Sequence, residues 1–222
     1  MKKILLLLLF TSLLSCANKS NATENNFTLY NFNFYSLSVP NTMELRNKSS
    51  IMAVGKQIFN NEIKNIIDVD IDNLDFVFQP TGIDNPKDID ERKKALALYA
   101  RILISHVKGN VGDYLKWNDN IKHTNEEYNK MNDFFREELV QYPELIVNIE
   151  NVKIGKNANK TVYVEQRYIR KGTNGNVQVV DYYLQNNSEC VKLTVSYRIS
   201  EKDLWEDDFN KILDSFSFKI KR

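Results

Sequence analysis

The sequence predicts an α+β domain, a central antiparallel β-sheet flanked by α-helices. Three observations predict it. Residues 145–199 break into four strand-length segments separated by short turn-rich links. Residues 124–142 carry a capped helix with one apolar stripe. A second amphipathic segment closes the chain and needs a sheet face to cover.

The first sixteen residues belong to another class of segment. Lys2 and Lys3 form a basic start, Ile4 to Phe10 are unbroken apolar residues, and Leu13-Leu14-Ser15-Cys16 reads as a bacterial lipobox. A bilayer crossing needs about 20 apolar residues, and this run gives out after Leu14. The expectation is a lipoprotein signal peptide at 1–15, cleaved before Cys16. That cysteine would then carry lipid, palmitate among the chains. A buried methylene contributes about 0.8 kcal/mol and one chain anchors only marginally, so two or three are expected. Ala17 stands where an aspartate would argue for inner-membrane retention. The expected address is therefore the cell envelope, at the outer membrane facing the periplasm. Residues 16–26 are the lipidated cysteine and a polar tether with a reach of roughly 18 Å. A single domain is expected over 27–222.

Within the domain the elements follow in order. Phe32 to Val39 alternate, with Tyr35, Leu37 and Val39 on one face, and Pro40 ends the run. Residues 51–66 read as a short helix on a mixed pattern. Asp75 to Gln79 form a strand stopped by Pro80, and Thr81 to Pro86 carry turn chemistry. Lys94 to Val107 read as a strand from about Leu96, with a helical start before it. Thr124-x-x-Glu127 is a capping box that opens the helix. Its stripe is Tyr128, Met131, Phe134, Phe135 and Leu139, and Pro143 stops it.

Strands are then expected near 145–154, 161–170, 176–185 and 190–199. Short links imply antiparallel neighbours. In the last strand Val191, Leu193, Val195, Tyr197 and Ile199 share one face, expected to be the core. Cys190, Lys192, Thr194, Ser196 and Arg198 share the other, expected to be wetter. Ser200-x-x-Asp203 is read as the cap of the final helix, whose stripe is Trp205, Phe209, Ile212, Leu213 and Phe216.

Taken together, this pattern resembles the bacterial lipoprotein branch of the PsbP-like fold, a branch without an assigned activity. The residues that carry the resemblance are Tyr35-Ser36-Leu37-Ser38-Val39-Pro40, Met43-Glu44-Leu45-Arg46, Phe76-Val77-Phe78-Gln79-Pro80 and Tyr99-Ala100-Arg101-Ile102. It continues with Ser196-Tyr197-Arg198, Trp205, Phe209 and Ile212 to Phe218. The resemblance implies a sandwich of sheet and helices and a role in binding other macromolecules. It transfers no ligand-contacting residue.

Composition narrows the chemistry. Without Lys2 and Lys3 the chain carries 28 basic and 29 acidic residues, mixed along its length, which does not suggest nucleic acid as a partner. Lysine outnumbers arginine 22 to 8, which argues against a dedicated receptor for forked anions. Cys16 and Cys190 are the only cysteines, so a lipidated Cys16 leaves Cys190 without a disulfide partner. Asp68, Asp70 and Asp72, with Asp75, are the best metal candidates. Alternating carboxylates suit a hard cation, yet Asn73 and Gln79 stand where a calcium loop needs Gly and Glu. A solvated acidic segment explains them as well. His106 and His123 are the only histidines and lack zinc spacing.

Cys190 lacks a local base, no Gly-x-Ser-x-Gly elbow occurs, and seven glycines include no phosphate loop. No cofactor is expected. Tyr114 and Trp117 are the candidate binding aromatics, with Tyr163, Tyr168, Tyr182 and Tyr183 along the meander. The expected function is a lipid-anchored envelope protein that binds another envelope protein without catalysis. The alternatives are an extracytoplasmic hydrolase whose site is assembled from distant residues, and a carrier of an apolar ligand.

Overall fold

The structure, a computed structural model, describes residues 26–46, 74–107, 124–186 and 189–219. Two antiparallel sheets form the frame. The larger runs β3(Met43–Leu45), β4(Leu74–Pro80), β5(Ala100–Val107), β10(Cys190–Arg198), β9(Val177–Gln185), β8(Val162–Arg170) and β6(Ile146–Ile149). β7(Lys153–Lys156) shares the β8 edge with β6. The smaller sheet has β2(Tyr35–Pro40) between β1(Phe27–Asn31) and β11(Ser217–Phe218). The chain leaves the small sheet at Pro40 and enters the large one at Met43. Among the described residues the α-helices are α1(Ile89–Ala97), α2(Asn125–Val140) and α3(Lys202–Ser215). This is the α+β architecture that the sequence predicts.

One face of the large sheet holds the main core. Val191, Leu193, Val195 and Tyr197 of β10 pack with Trp205, Phe209, Ile212 and Leu213 of α3, and with Tyr35, Leu37 and Val39 of β2. Ile212 is fully buried, as are Leu37 and Leu193. The Tyr197–Phe209, Trp205–Phe209 and Tyr35–Phe216 ring pairs, 5.8, 6.2 and 5.4 Å between centroids, fill the space between the elements. From Val191 to Tyr197 the period-two alternation and the stripe of α3 thus meet as expected, whereas Ile199, expected on the same face, lies beyond the strand in a 3₁₀ turn and is exposed.

The opposite face is not simply wet. α2 lies on it, with Met131 and Phe135 against Val152 and Val164, and Leu139 against Tyr168, Val177 and Val179. Cys190 and Ser196 are buried there. The capping box is present, Thr124 accepting from the Glu127 N–H and Glu127 from the Thr124 N–H. Phe134, placed on the stripe by its spacing, stands 48% exposed.

Four further expectations change. β1 precedes the anticipated first strand, and Phe32–Phe34 belong to the turn that joins β1 to β2, where the Phe32 N–H donates to the Tyr35 carbonyl at 2.9 Å. Pairing with β2 makes a strand of a segment whose own burial pattern is weak. Residues 89–97 are helical and the strand starts at Ala100, later than Leu96. The Asp88 carboxylate caps the helix, accepting from the N–H groups of Asp90 and Glu91 at 2.9 and 2.7 Å. Its apolar face is faint, because only Ala95 is buried while Ile89 and Leu96 are exposed.

The strand expected over 145–154 is two strands. Between them the Val152 N–H donates to Asn132 of α2 at 2.7 Å and the Glu150 carbonyl accepts from Gln166 at 3.1 Å. Backbone groups lost from the ladder are satisfied by these side chains. Finally, α3 has no side-chain cap from Ser200. A turn of 3₁₀ helix, Ile199–Glu201, leads into it. Glu201 looks inward instead, accepting from the Tyr99 N–H at 2.9 Å, from the Trp205 indole at 3.2 Å and from Arg198. The helix anticipated at 51–66 lies outside the described residues.

Candidate functional site

Antiparallel register decides which chemistry-bearing side chains can meet. β10 pairs with β5 so that Cys190 faces Val107 and Val191 faces His106. Side chains alternate along a strand. His106 therefore shares the α3 face with Val191, and Cys190 points to the α2 face. The two stand side by side along the ladder with the sheet between them. A Cys190–His106 dyad, the one Cys–His pair among the described residues, therefore has no geometry. Burial pushes the Cys190 thiol up to about 12, away from the reactive thiolate.

His106 sits at the rim of the main core. Its Nε2 lies 3.0 Å from Glu189 Oε2, and its ring centroid lies 4.6 Å from that of Phe34. Asp75 takes the His106 backbone N–H at 2.8 Å. Two carboxylates thus converge on the residue. One engages the ring and the other the backbone.

The α2 face holds the second polar group. Thr194 faces Asp181 and Lys192 faces Tyr183 across β10 and β9. The Thr194 hydroxyl donates to Asp181 Oδ1 at 2.5 Å, and Lys192 Nζ lies 3.1 Å from Asp181 Oδ2 and 5.2 Å from the Tyr183 ring centre. Burial alone would lower the Lys192 ammonium. Asp181, Tyr183 and Tyr168 outweigh it and hold the ammonium well above its usual value. Burial pushes the Tyr183 phenol up to about 12. This set is a neutralised, hydrogen-bonded network that links the strands under α2. Sequence reasoning assigned Lys192 and Thr194 to a wet face and did not single out Asp181. Its period-two signal was legible, but the pairing that joins it to Lys192 needs the register.

Of the other sequence candidates, Cys16, Asp68, Asp70, Asp72, Tyr114, Trp117 and His123 lie outside the described residues. Asp75 is exposed. Among the described residues no group of three His, Cys, Asp or Glu could hold a metal ion. The meander tyrosines are mostly structural. Tyr168 and Tyr182 are buried, and Tyr163 meets Tyr182 edge to face at 5.4 Å. No helix among the described residues is long and apolar enough to cross a membrane.

No protein-family model and no curated protein matches the chain. Its fold is similar to the solution structure of the cyanobacterial PsbP protein, CyanoP, from Synechocystis sp. PCC 6803. The two chains are 12% identical, the likeness covers 92% of this chain and 99% of that one, and the TM-score is 0.48. At that identity and score the likeness carries no statement about activity or partner.

Proposed function

We propose that the chain is a lipid-anchored envelope protein that acts by binding rather than by catalysis. The anchor reading rests on Leu13-Leu14-Ser15-Cys16 and the apolar run before it. The outer membrane facing the periplasm is the address that Ala17 favours, and another envelope protein is the expected partner. The observation that carries the non-catalytic reading is the opposite facing of Cys190 and His106. It is supported by the engagement of Asp181 and Lys192 with each other.

The hydrolase reading keeps one observation, the convergence of Glu189 and Asp75 on His106. One complementation experiment separates the two. In cells lacking the chain, the double variant His106→Gln, Cys190→Ser should restore the lost phenotype. Cys16→Ser should not restore it and should lose the acyl mass from the mature N-terminus. A folded double variant that fails to complement would support the hydrolase. An unmodified Cys16 in the mature wild-type protein would remove the anchor.

A further inference from the structure

We propose that Arg46 and Arg101 form a binding site for a phosphate-class oxyanion on the α2 face of the large sheet, at its β3–β5 side. The register brings them together. Arg46 follows β3, and its N–H donates to the Val77 carbonyl at 2.8 Å. Arg101 lies one step beyond the Phe78–Ile102 pair of β4 and β5, beside Gln79. Only β4 separates the two arginines.

Both guanidinium groups are half-buried and under-compensated. Among the described residues Arg101 donates to the Ala100 carbonyl at 2.7 Å, lies 5.3 Å from the Tyr99 ring centre and forms no ion pair with a carboxylate. Arg46 Nε is buried without a hydrogen-bond partner and reaches Asp84 only at 3.8 Å, too long for a hydrogen bond. Glu44, the other nearby carboxylate, is committed elsewhere. It accepts from the N–H groups of Gly82 and Asp84 at 3.2 and 2.7 Å and from Gln79 at 3.3 Å. Burial, joined by the repulsion of Arg46, lowers the Arg101 pKa despite the opposing fields of Tyr99 and Asp84. A third arginine, Arg170, donates to the Tyr99 hydroxyl at 2.5 Å and extends the basic strip.

Gln79 adds the ligand's second requirement. It is fully buried, and its Oε1 accepts no hydrogen bond. The site therefore offers forked donors for an anion beside an acceptor in need of a donor. Hydrogen phosphate and phosphate monoesters carry anionic oxygens and, when singly protonated, an O–H in one group. Arginine forks match such oxyanions bidentately. The scarcity of arginine in the chain thus conceals a concentration of it at one place. This inference does not depend on the anchor or on the non-catalytic reading.

The test uses the full chain in neutral detergent micelles. Inorganic phosphate replacing chloride at constant ionic strength should raise the thermal midpoint, because a ligand that binds only the folded state stabilises it. Arg101→Gln should lose that rise, and Arg136→Gln, at an exposed arginine on α2, should keep it. On the wild-type chain, phosphate should slow phenylglyoxal modification of Arg101 several-fold while Arg136 reacts as before, which needs no variant to fold. Vesicles of phosphatidylglycerol and of phosphatidylcholine form the third arm. Protection by phosphatidylglycerol alone, without inorganic phosphate, assigns the same site to a lipid headgroup. Protection by neither, or a phosphate-dependent rise that survives Arg101→Gln, overturns the proposal.

Discussion

Cys190 and His106 are lateral neighbours in the β10–β5 ladder and face opposite sides of the sheet. The thiol lies on the α2 face of the sheet, where burial keeps it protonated. It should therefore react slowly with iodoacetamide at mildly alkaline pH, and at full rate once the chain is unfolded. Cys190→Ser should change stability by no more than about 1 kcal/mol. Its register partner Gln185 has a buried Nε2 without an acceptor, and the new hydroxyl is placed beside it. Labelling kinetics and denaturant unfolding check both statements.

The α3 stripe gives a second prediction. Phe209 is buried in the main core, while Lys211 is on the solvent side near Asp208. Phe209→Ala should cost roughly 3–5 kcal/mol, and Lys211→Ala little. Thermal melts of both variants discriminate. Equal effects would mean that the helix is not docked on the sheet.

The Asp181–Lys192 pair should respond asymmetrically. The Asp181 side chain is 9% exposed and that of Lys192 is 33% exposed. Lys192→Met leaves a nearly buried carboxylate supported by Thr194 alone, which should cost roughly 1–3 kcal/mol. Asp181→Asn leaves an ammonium able to turn to water, and the cost should stay below about 1 kcal/mol. A reversed order in urea unfolding would contradict the network described under α2.

Glu44 predicts a pH dependence. Burial pulls its carboxyl upward, but the N–H groups of Asp84 and Gly82 and the Gln79 amide together hold it below its ordinary value. A depressed folded-state pKa contributes stability above the unfolded-state value, and that contribution is lost as pH falls through the folded one. The stability gap between wild type and Glu44→Gln should thus be constant above the carboxylate range. It should shrink as pH falls below about 4.3, the unperturbed glutamate value. Melts across an acid series measure it.

The elements legible in the sequence were those whose signal is local. The capping box at Thr124 and Glu127, the alternation of Val191 to Tyr197 and the stripe of Trp205 to Leu213 all carry a period or a fixed spacing. α1 was legible only as a helical start before Leu96, because a single N-cap, Asp88, supports its beginning at Ile89 without an apolar stripe. β1 was hidden because its partner strand makes it extended. For the sites, Cys190 and His106 were visible as residue types, but their separation is a fact of register. Arg46 and Arg101 are 55 positions apart, and nothing local marks them as neighbours.

β11 has a consequence for how the chain comes to fold. Ser217 and Phe218 pair with Ser36 and Tyr35, and the Lys219 N–H donates to the Phe34 carbonyl at 2.8 Å. α3, just before them, is the cover for Tyr35, Leu37 and Val39. A ribosome makes the chain from its N-terminus, so this hairpin stays bare until the distant α3 and β11 are synthesised. Contacts of such long sequence separation form slowly. While the intervening residues are being made, the apolar strand is open to unwanted pairing, and a chain that emerges this way has reason to rely on a chaperone before α3 arrives.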